Sequence, residues 1–174
     1  MADPLVLNVA ELLRRPATRK AYELVVPAAG MTLGGDAEVL DGTPVAVDVV
    51  VESLSDGLTV NGEVRTTWTG TCRRCLGPAT GELVADVQEL YQVHPTSEDA
   101  FAFDGEQLDL RPMVRELVLM ELPAAPVCRD DCAGICPTCG TDRNVEPCDC
   151  SNDVVDPRWA ALDALRSPSD HDAR

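Results

Sequence analysis

From Pro44 to Leu54 apolar and polar residues alternate, with Val45, Val47, Val49 and Val51 on one face, the period of a half-buried strand. Ser55-Asp56-Gly57 supplies turn residues. Beyond it Leu58, Val60, Val64 and Trp68 alternate against Thr59, Asn61, Glu63, Arg65, Thr67 and Thr69. These two stretches should pair as a hairpin. A third strand, about 82–93, sets Leu83, Ala85, Val87 and Tyr91 on one face and follows the second through Gly70-Thr-Cys72-Arg-Arg-Cys75-Leu-Gly-Pro78. The tip of this second hairpin is therefore a cysteine knuckle. An antiparallel meander with one wetted face accounts for the period-two pattern.

The flanking stretches follow other rules. Leu5, Leu7, Val9, Leu12 and Leu13 predict a short strand or helix leading into a basic turn around Pro16, and Tyr22–Val26 alternates before Pro27. Residues 94–105 read as a polar, acidic loop anchored by Phe101 and Phe103. From Asp109 the period becomes helical: Leu110, Met113, Val114, Leu117 and Val118 share a stripe, with Asp109 as N-cap, Pro112 in the first turn and Pro123 as the stop. Leu119, Met120 and Leu122 widen the stripe near its end, which predicts burial between the sheet and a metal module rather than a partner-binding groove. Asp156-Pro157-Arg158-Trp159 opens a short second helix whose Trp159, Leu162 and Leu165 would clip back onto the body. The expected class is α+β, an antiparallel, barrel-like β body with one long and one short helix and a C-terminal cysteine-rich zinc module. The divisions are 1–127 for the body, 128–166 for the module with its clip helix, and 167–174 for a disordered tail.

Composition narrows the function. A chain of 174 residues with 45% hydrophobic content can build a core, but 3% aromatics leave it few platforms on which to stack exposed bases. The formal charge of −16 repels phosphate backbones at long range, and two four-thiolate zinc sites would deepen it by about −2 each. Basic proteins are thus favoured as partners. RNA would be reached only through a local basic patch, for which Arg14, Arg15, Arg19, Lys20, Arg73 and Arg74 are the candidates. The N-terminal segment lacks a charged-then-apolar ramp, and no apolar run approaches a membrane span, so a cytoplasmic protein is expected.

Six of the eight cysteines fall between Cys128 and Cys150. In a reducing compartment an even cysteine count argues for metal over disulfides. Cys72/Cys75, Cys128/Cys132, Cys136/Cys139 and Cys148/Cys150 are four pairs, and zinc takes four ligands at tetrahedral angles, so eight thiols make two complete structural sites. One split joins Cys72, Cys75, Cys128 and Cys132, leaving Cys136, Cys139, Cys148 and Cys150 as a compact second site; the other joins the two Cys-x-x-Cys knuckles as a ribbon. An iron–sulfur cluster has the same ligand set. Cys132-x₃-Cys136-x₂-Cys139 has the spacing of radical-generating iron–sulfur enzymes, but only 35 residues follow it, too few for the barrel such enzymes need. Cys136-Pro-Thr-Cys139 lacks the strand-then-helix setting of a redox dithiol. No nucleophile with a base and no open metal position can be assembled, so an enzyme is not expected.

Taken together, several unusual elements occur in one order. They are the Cys72-x-x-Cys75-Leu knuckle, Leu108-Asp109-Leu110 opening an apolar helix, Glu121-Leu-Pro-x-x-Pro126-Val-Cys128, Asp131-Cys132-x-Gly134-Ile-Cys136-x-x-Cys139-Gly140, Cys148-x-Cys150 and Asp156-Pro157-Arg158-Trp159. From about Val45 to Leu165 the chain resembles the YceD family, as an actinobacterial-type member with the full cysteine set. The resemblance implies a non-enzymatic factor supporting accumulation or maturation of large-subunit (23S) ribosomal RNA, acting with a ribosomal protein or a pre-large-subunit particle. Some members of that family lack the Cys136–Cys150 set while keeping the hairpin knuckle, which implies the first of the two splits. A redox- or metal-responsive zinc-thiolate regulator is the alternative from another class.

Overall fold

The computed structural model describes residues 3–32, 34–151 and 158. Two compact units divide it, Met1–Cys132 and Ala133–Arg174, so that Cys128 and Cys132 belong to the first.

Three strands carry the first unit. β1 (Val6–Asn8), α1 (Ala10–Leu13), β2 (Arg19–Pro27) and β3 (Ala37–Glu38) precede β4 (Pro44–Ser53), β5 (Leu58–Thr71) and β6 (Pro78–Gln92), the predicted meander. β4 and β5 pair antiparallel from Ser53↔Leu58 to Ala46↔Arg65, closed by a turn in which the Leu54 N–H donates to the Gly57 carbonyl at 2.9 Å. The inward valines are buried as the alternation requires, Val45, Val47 and Val51 completely. β5 and β6 pair from Leu58↔Tyr91 to Thr71↔Pro78, so this hairpin runs well past the end of β4. β3 takes over as neighbour there, pairing Ala37↔Gly70 and Glu38↔Thr69.

The remaining elements extend this sheet or pack on it. β7 (Phe101–Ala102) lies beside β6, β8 (Gln107–Asp109) pairs with β1, and α2 (Arg111–Glu121) packs on β6 and β5. Leu110, Met113, Val114 and Val118 meet the inward faces of β4, β5 and β6 in one apolar core. Asp109 does help start α2, its Oδ1 accepting from the Arg111 N–H at 3.0 Å, although the capping position itself is Leu110. The helix stops where Leu122, held extended ahead of Pro123, leaves the helical region.

Four expectations are corrected. Among the described residues the sheet is open, with β2 and β7 at its edges, because no strand there returns to β2; it is not a barrel. It is also mixed, since β7 pairs parallel with β6 through Tyr91↔Phe101. That pairing stacks the Phe101 ring on Tyr91 with centroids 5.2 Å apart, while Phe103 is buried, so the acidic loop is indeed anchored by its aromatics. The segment after α1 is no simple basic turn: Arg19 and Lys20 already belong to β2. The end of α2 is not buried all round, for Met120 is 73% exposed. The clip helix, apart from Arg158, and the tail from Ser167 lie outside the described residues.

Candidate metal centres

Two Cys-x-x-Cys turns in this chain adopt the same backbone. In the hairpin between β5 and β6 the Leu76 N–H donates to the Cys72 carbonyl at 2.9 Å and the Cys72 N–H to the Gly77 carbonyl at 2.8 Å. In the second unit the Gly140 N–H donates to the Cys136 carbonyl and the Cys136 N–H to the Thr141 carbonyl, both at 2.8 Å. Each turn needs the residue after its second cysteine in the left-handed region, filled by Leu76 at φ 60° and by Gly140 at φ 76°. Glycine reaches that region freely, whereas a leucine pays steric strain there. Both turns aim backbone N–H groups at their first sulfur.

The first tetrad closes when Cys128 and Cys132 come to the hairpin tip. The Arg73 N–H donates to the Pro126 carbonyl at 2.9 Å, and the Arg74 guanidinium donates to the Asp130 and Cys132 carbonyls at 2.8 and 3.3 Å. Cys72, Ala79 and Cys132 are buried together, with Trp68 and Val127 packed against them. Trp68 owes its place to a cross-strand partner without a side chain: a Cβ on Gly81 would come within 2.7 Å of the indole.

The sulfurs test whether a metal fits. Zinc–thiolate bonds of about 2.3 Å at tetrahedral angles put neighbouring sulfurs about 3.8 Å apart. Cys72 Sγ lies 3.8 Å from Cys132 Sγ, and Cys75 Sγ 3.7 Å from Cys128 Sγ. All four sulfurs of Cys72, Cys75, Cys128 and Cys132 fall within 4.8 Å of one another, as do those of Cys136, Cys139, Cys148 and Cys150. The donor set and spacing fit two metal ions, grouped as the hairpin split and not as a ribbon of the two knuckles.

The second tetrad stands on a loop tied to itself by polar groups. The Asn144 Oδ1 accepts from the Ala133 N–H at 2.8 Å, and Asp142 receives the backbone N–H groups of Asn144, Val145 and Glu146. Thr141 Oγ1 lies 3.2 Å from Cys139 Sγ. Cys136 is buried, while Ile135 and Val145 are exposed.

Titration of the thiols follows from this geometry. The Cys72 thiol is pulled down to about 6 by the Cys75 backbone N–H, which outweighs burial. Cys136 is pulled down to about 6 by the N–H groups of Cys139 and Thr138. Contact with Cys132 and burial push Cys128 up to about 12, and contact with Cys139 and burial push Cys150 up to about 12. Four thiols this close cannot all ionise alone. A bound dication reverses that balance.

The predicted basic residues do not form one surface. Arg19 pairs with Glu52, Arg14 with Glu106, and Lys20 lies over the Tyr22 ring. Glu52 sits opposite Thr59, and from Thr59 to Thr71 β5 covers about 40 Å at roughly 3.3 Å per residue. Arg73 and Arg74 are at that far end, Arg73 facing Asp36 and Arg74 bracing the ligand loop. Reading the sequence missed Trp68, Gly81, Asp142 and Asn144 as supports of the tetrads. The run Thr141-Asp142-Arg143-Asn144 between two cysteine pairs was the available signal for the last two.

Residues 60–166 match the family model described as large ribosomal RNA subunit accumulation protein YceD. An uncharacterized protein of Mycobacterium tuberculosis is 33% identical over 97% of this chain and 84% of its own length. The chloroplastic large ribosomal RNA subunit accumulation protein YCED homolog 1 of Arabidopsis thaliana is 29% identical over 72% of this chain and 50% of its own. The uncharacterized protein YlbN of Bacillus subtilis is 27% identical over 71% of this chain and 72% of its own. No solved structure matches the chain.

Proposed function

The chain belongs to the YceD family, and from that premise we propose that it is a non-enzymatic ribosome-biogenesis factor supporting accumulation and maturation of large-subunit (23S) ribosomal RNA. The match over residues 60–166 carries the reading, because it spans the hairpin knuckle, α2 and both cysteine tetrads.

In this reading two zinc ions are structural. Cys72, Cys75, Cys128 and Cys132 would hold one, locking the hairpin tip to the segment that follows α2; Cys136, Cys139, Cys148 and Cys150 would hold the other. Four-thiolate sites are closed, leaving no position for substrate or water. The metal supplies cross-links, and the chain supplies the surface. That surface carries a formal charge of −16, which favours a basic ribosomal protein or a pre-large-subunit particle, met in the cytoplasm, over bare RNA. Arg14, Arg15, Arg19 and Lys20 at one end of β5, and Arg73 at the other, remain the candidates for any direct RNA contact.

The test is the ratio of large- to small-subunit ribosomal RNA in cells depleted of the protein, with gradient profiles, and in cells rescued by wild-type or Cys72→Ser chains. A fall restored by wild type and not by Cys72→Ser is expected. An unchanged ratio on depletion defeats the reading. The redox-regulator alternative draws on the exposure of Cys139. Zinc release at physiological peroxide would favour it, and an inert site removes it.

A further inference from the structure

The apolar stripe of α2 is wider than the core it covers. Beside its uncovered edge opens a cleft of about 350 Å³, formed by α2, the far half of β6 and the loop entering β7. Phe101, Met113, Leu117 and Met120 provide its apolar lining, Met113 fully buried and Met120 mostly exposed. Four carboxylates stand around them, Glu89, Glu98, Asp99 and Glu116.

What sets these carboxylates apart is that they gather around one apolar cleft with no cation among them. Arg19, Arg65, Arg111 and Arg129 each pair with a nearby acid, yet none of the four at the cleft is in an ion pair among the described residues. Burial, then the Glu116 and Asp99 charges, push the Glu89 carboxyl up, so the cleft holds like charges against one another. Nor do the four converge on a metal ion: among the described residues only the cysteine tetrads bring three or more ligand groups within ligating distance. A phosphate backbone would be repelled, and a small cation would leave the apolar lining wet. Charge and lining together select one kind of occupant.

We propose that this cleft docks a basic, amphipathic protein segment, one Leu- or Met-sized side chain entering over Phe101, Leu117 and Met120 while flanking lysines or arginines pair with Glu89, Asp99 and Glu116. The inference rests on the large-subunit reading above and gives its basic partner a surface. The exposed methionine suits such a role, because its flexible thioether adapts to varied apolar side chains. Binding energy would come from the apolar anchor, and the carboxylates would supply encounter rate and selectivity.

The test is fluorescence anisotropy with the full chain and a fluorescein-labelled twelve-residue peptide of the repeat Lys-Leu-Arg-Ala. Binding is expected. It should weaken about tenfold in a Glu89→Gln/Asp99→Asn/Glu116→Gln variant and about fivefold in Met120→Ser or when serine replaces leucine in the peptide. These variants keep side-chain shape or alter an exposed residue, and a melting curve matching wild type establishes folding. Absence of binding overturns the proposal, as does a serine peptide that binds equally well, the mark of a merely acidic surface. An unchanged affinity in the triple variant also overturns it, and so does displacement of the peptide by a short RNA. In cells the two readings separate. If depletion lowers the ribosomal RNA ratio and the triple variant restores it, the cleft fails and the large-subunit reading stands. If depletion leaves the ratio unchanged, that reading fails and the peptide result alone judges the cleft.

Discussion

Chelation should dismantle the segment 133–150 before it disturbs the knuckle at Cys72. The first tetrad sits on a β-ladder ending at Thr71↔Pro78 and shares an apolar cluster with Ala79, Trp68 and Val127. In the second, Cys136 is the one hydrophobic side chain buried among described residues 133–151, while Val145 is 83% exposed and Ile135 36%. Burying a single side chain of that size gives roughly 1–2 kcal/mol, and ordering each residue of backbone costs about 1–2 kcal/mol. Structural zinc contributes on the order of 10–16 kcal/mol at neutral pH, so its loss leaves the second loop with nothing comparable. Trypsin reads both sites, because Arg143 lies inside the second loop and Arg73 and Arg74 inside the first knuckle. Stepwise chelation followed by mass spectrometry should show cleavage after Arg143 while the Arg73–Arg74 bond stays protected. Cys136→Ser should behave the same way without chelator and retain one equivalent of metal. Cleavage at Arg73–Arg74 first, or protection of Arg143 after full chelation, would contradict this order of unfolding.

Gly140→Ala meets no atom within 4 Å but must hold φ 76°, so it should weaken metal binding at the second tetrad by about 1 kcal/mol, roughly fivefold by competition titration. Leu76→Gly at φ 60° should give the opposite sign or no loss in the first. Gly81→Val would drive a side chain into the indole of Trp68 and should cost about 1–3 kcal/mol in denaturant melts, shifting tryptophan emission to the red. Metal affinity should rise with pH through neutrality. Cys75 and Cys128 in one site, and Cys148 and Cys150 in the other, are raised and must shed protons on binding, so log K should climb by at least about two per pH unit near pH 7 at each site. Competition titrations across pH 6–8 check this, and a flat profile contradicts it. The Arg111 guanidinium holds the Asp109 carboxyl below its usual range, so this pair stabilises the fold above the unfolded value of about 3.9 and is lost as pH falls through the lower folded one. Asp109→Asn should therefore lower Tm at pH 7 and matter less at pH 2; both side chains are more than a third exposed, which limits the effect to under about 1 kcal/mol.

The parts of the fold legible from the sequence are those fixed by local periodicity. Val45, Val47, Val49 and Val51 point one way because β side chains repeat every two residues, and that spacing held without knowledge of any neighbour. Openness of the sheet and the parallel β7 were not legible, because both depend on which edges meet, a nonlocal choice that two residues at Phe101–Ala102 cannot announce. Met120 misled for a similar reason. Its place on the helix was read correctly, but the width of the surface beneath it was not in the sequence.

Cysteines and arginines show how far spacing alone can carry an argument about a site. A thiolate centre needs four sulfurs about 3.8 Å apart, so the two cysteines on one hairpin tip must find partners that the chain can deliver there. The segment leaving α2 does so because Arg73 and Arg74 hold its carbonyls. A basic patch has no such demand: charges near in sequence or alike in type need not be near in space. Arg19 and Arg74 stand at opposite ends of one long strand, and only the register of β2 on β4 and of β4 on β5 reveals it. The same register makes Arg74 a brace for the metal loop, so substituting it would disturb the first tetrad before any nucleic acid was considered. Arg19→Ala, whose partner is Glu52, leaves both tetrads intact and is the cleaner probe of an RNA contact.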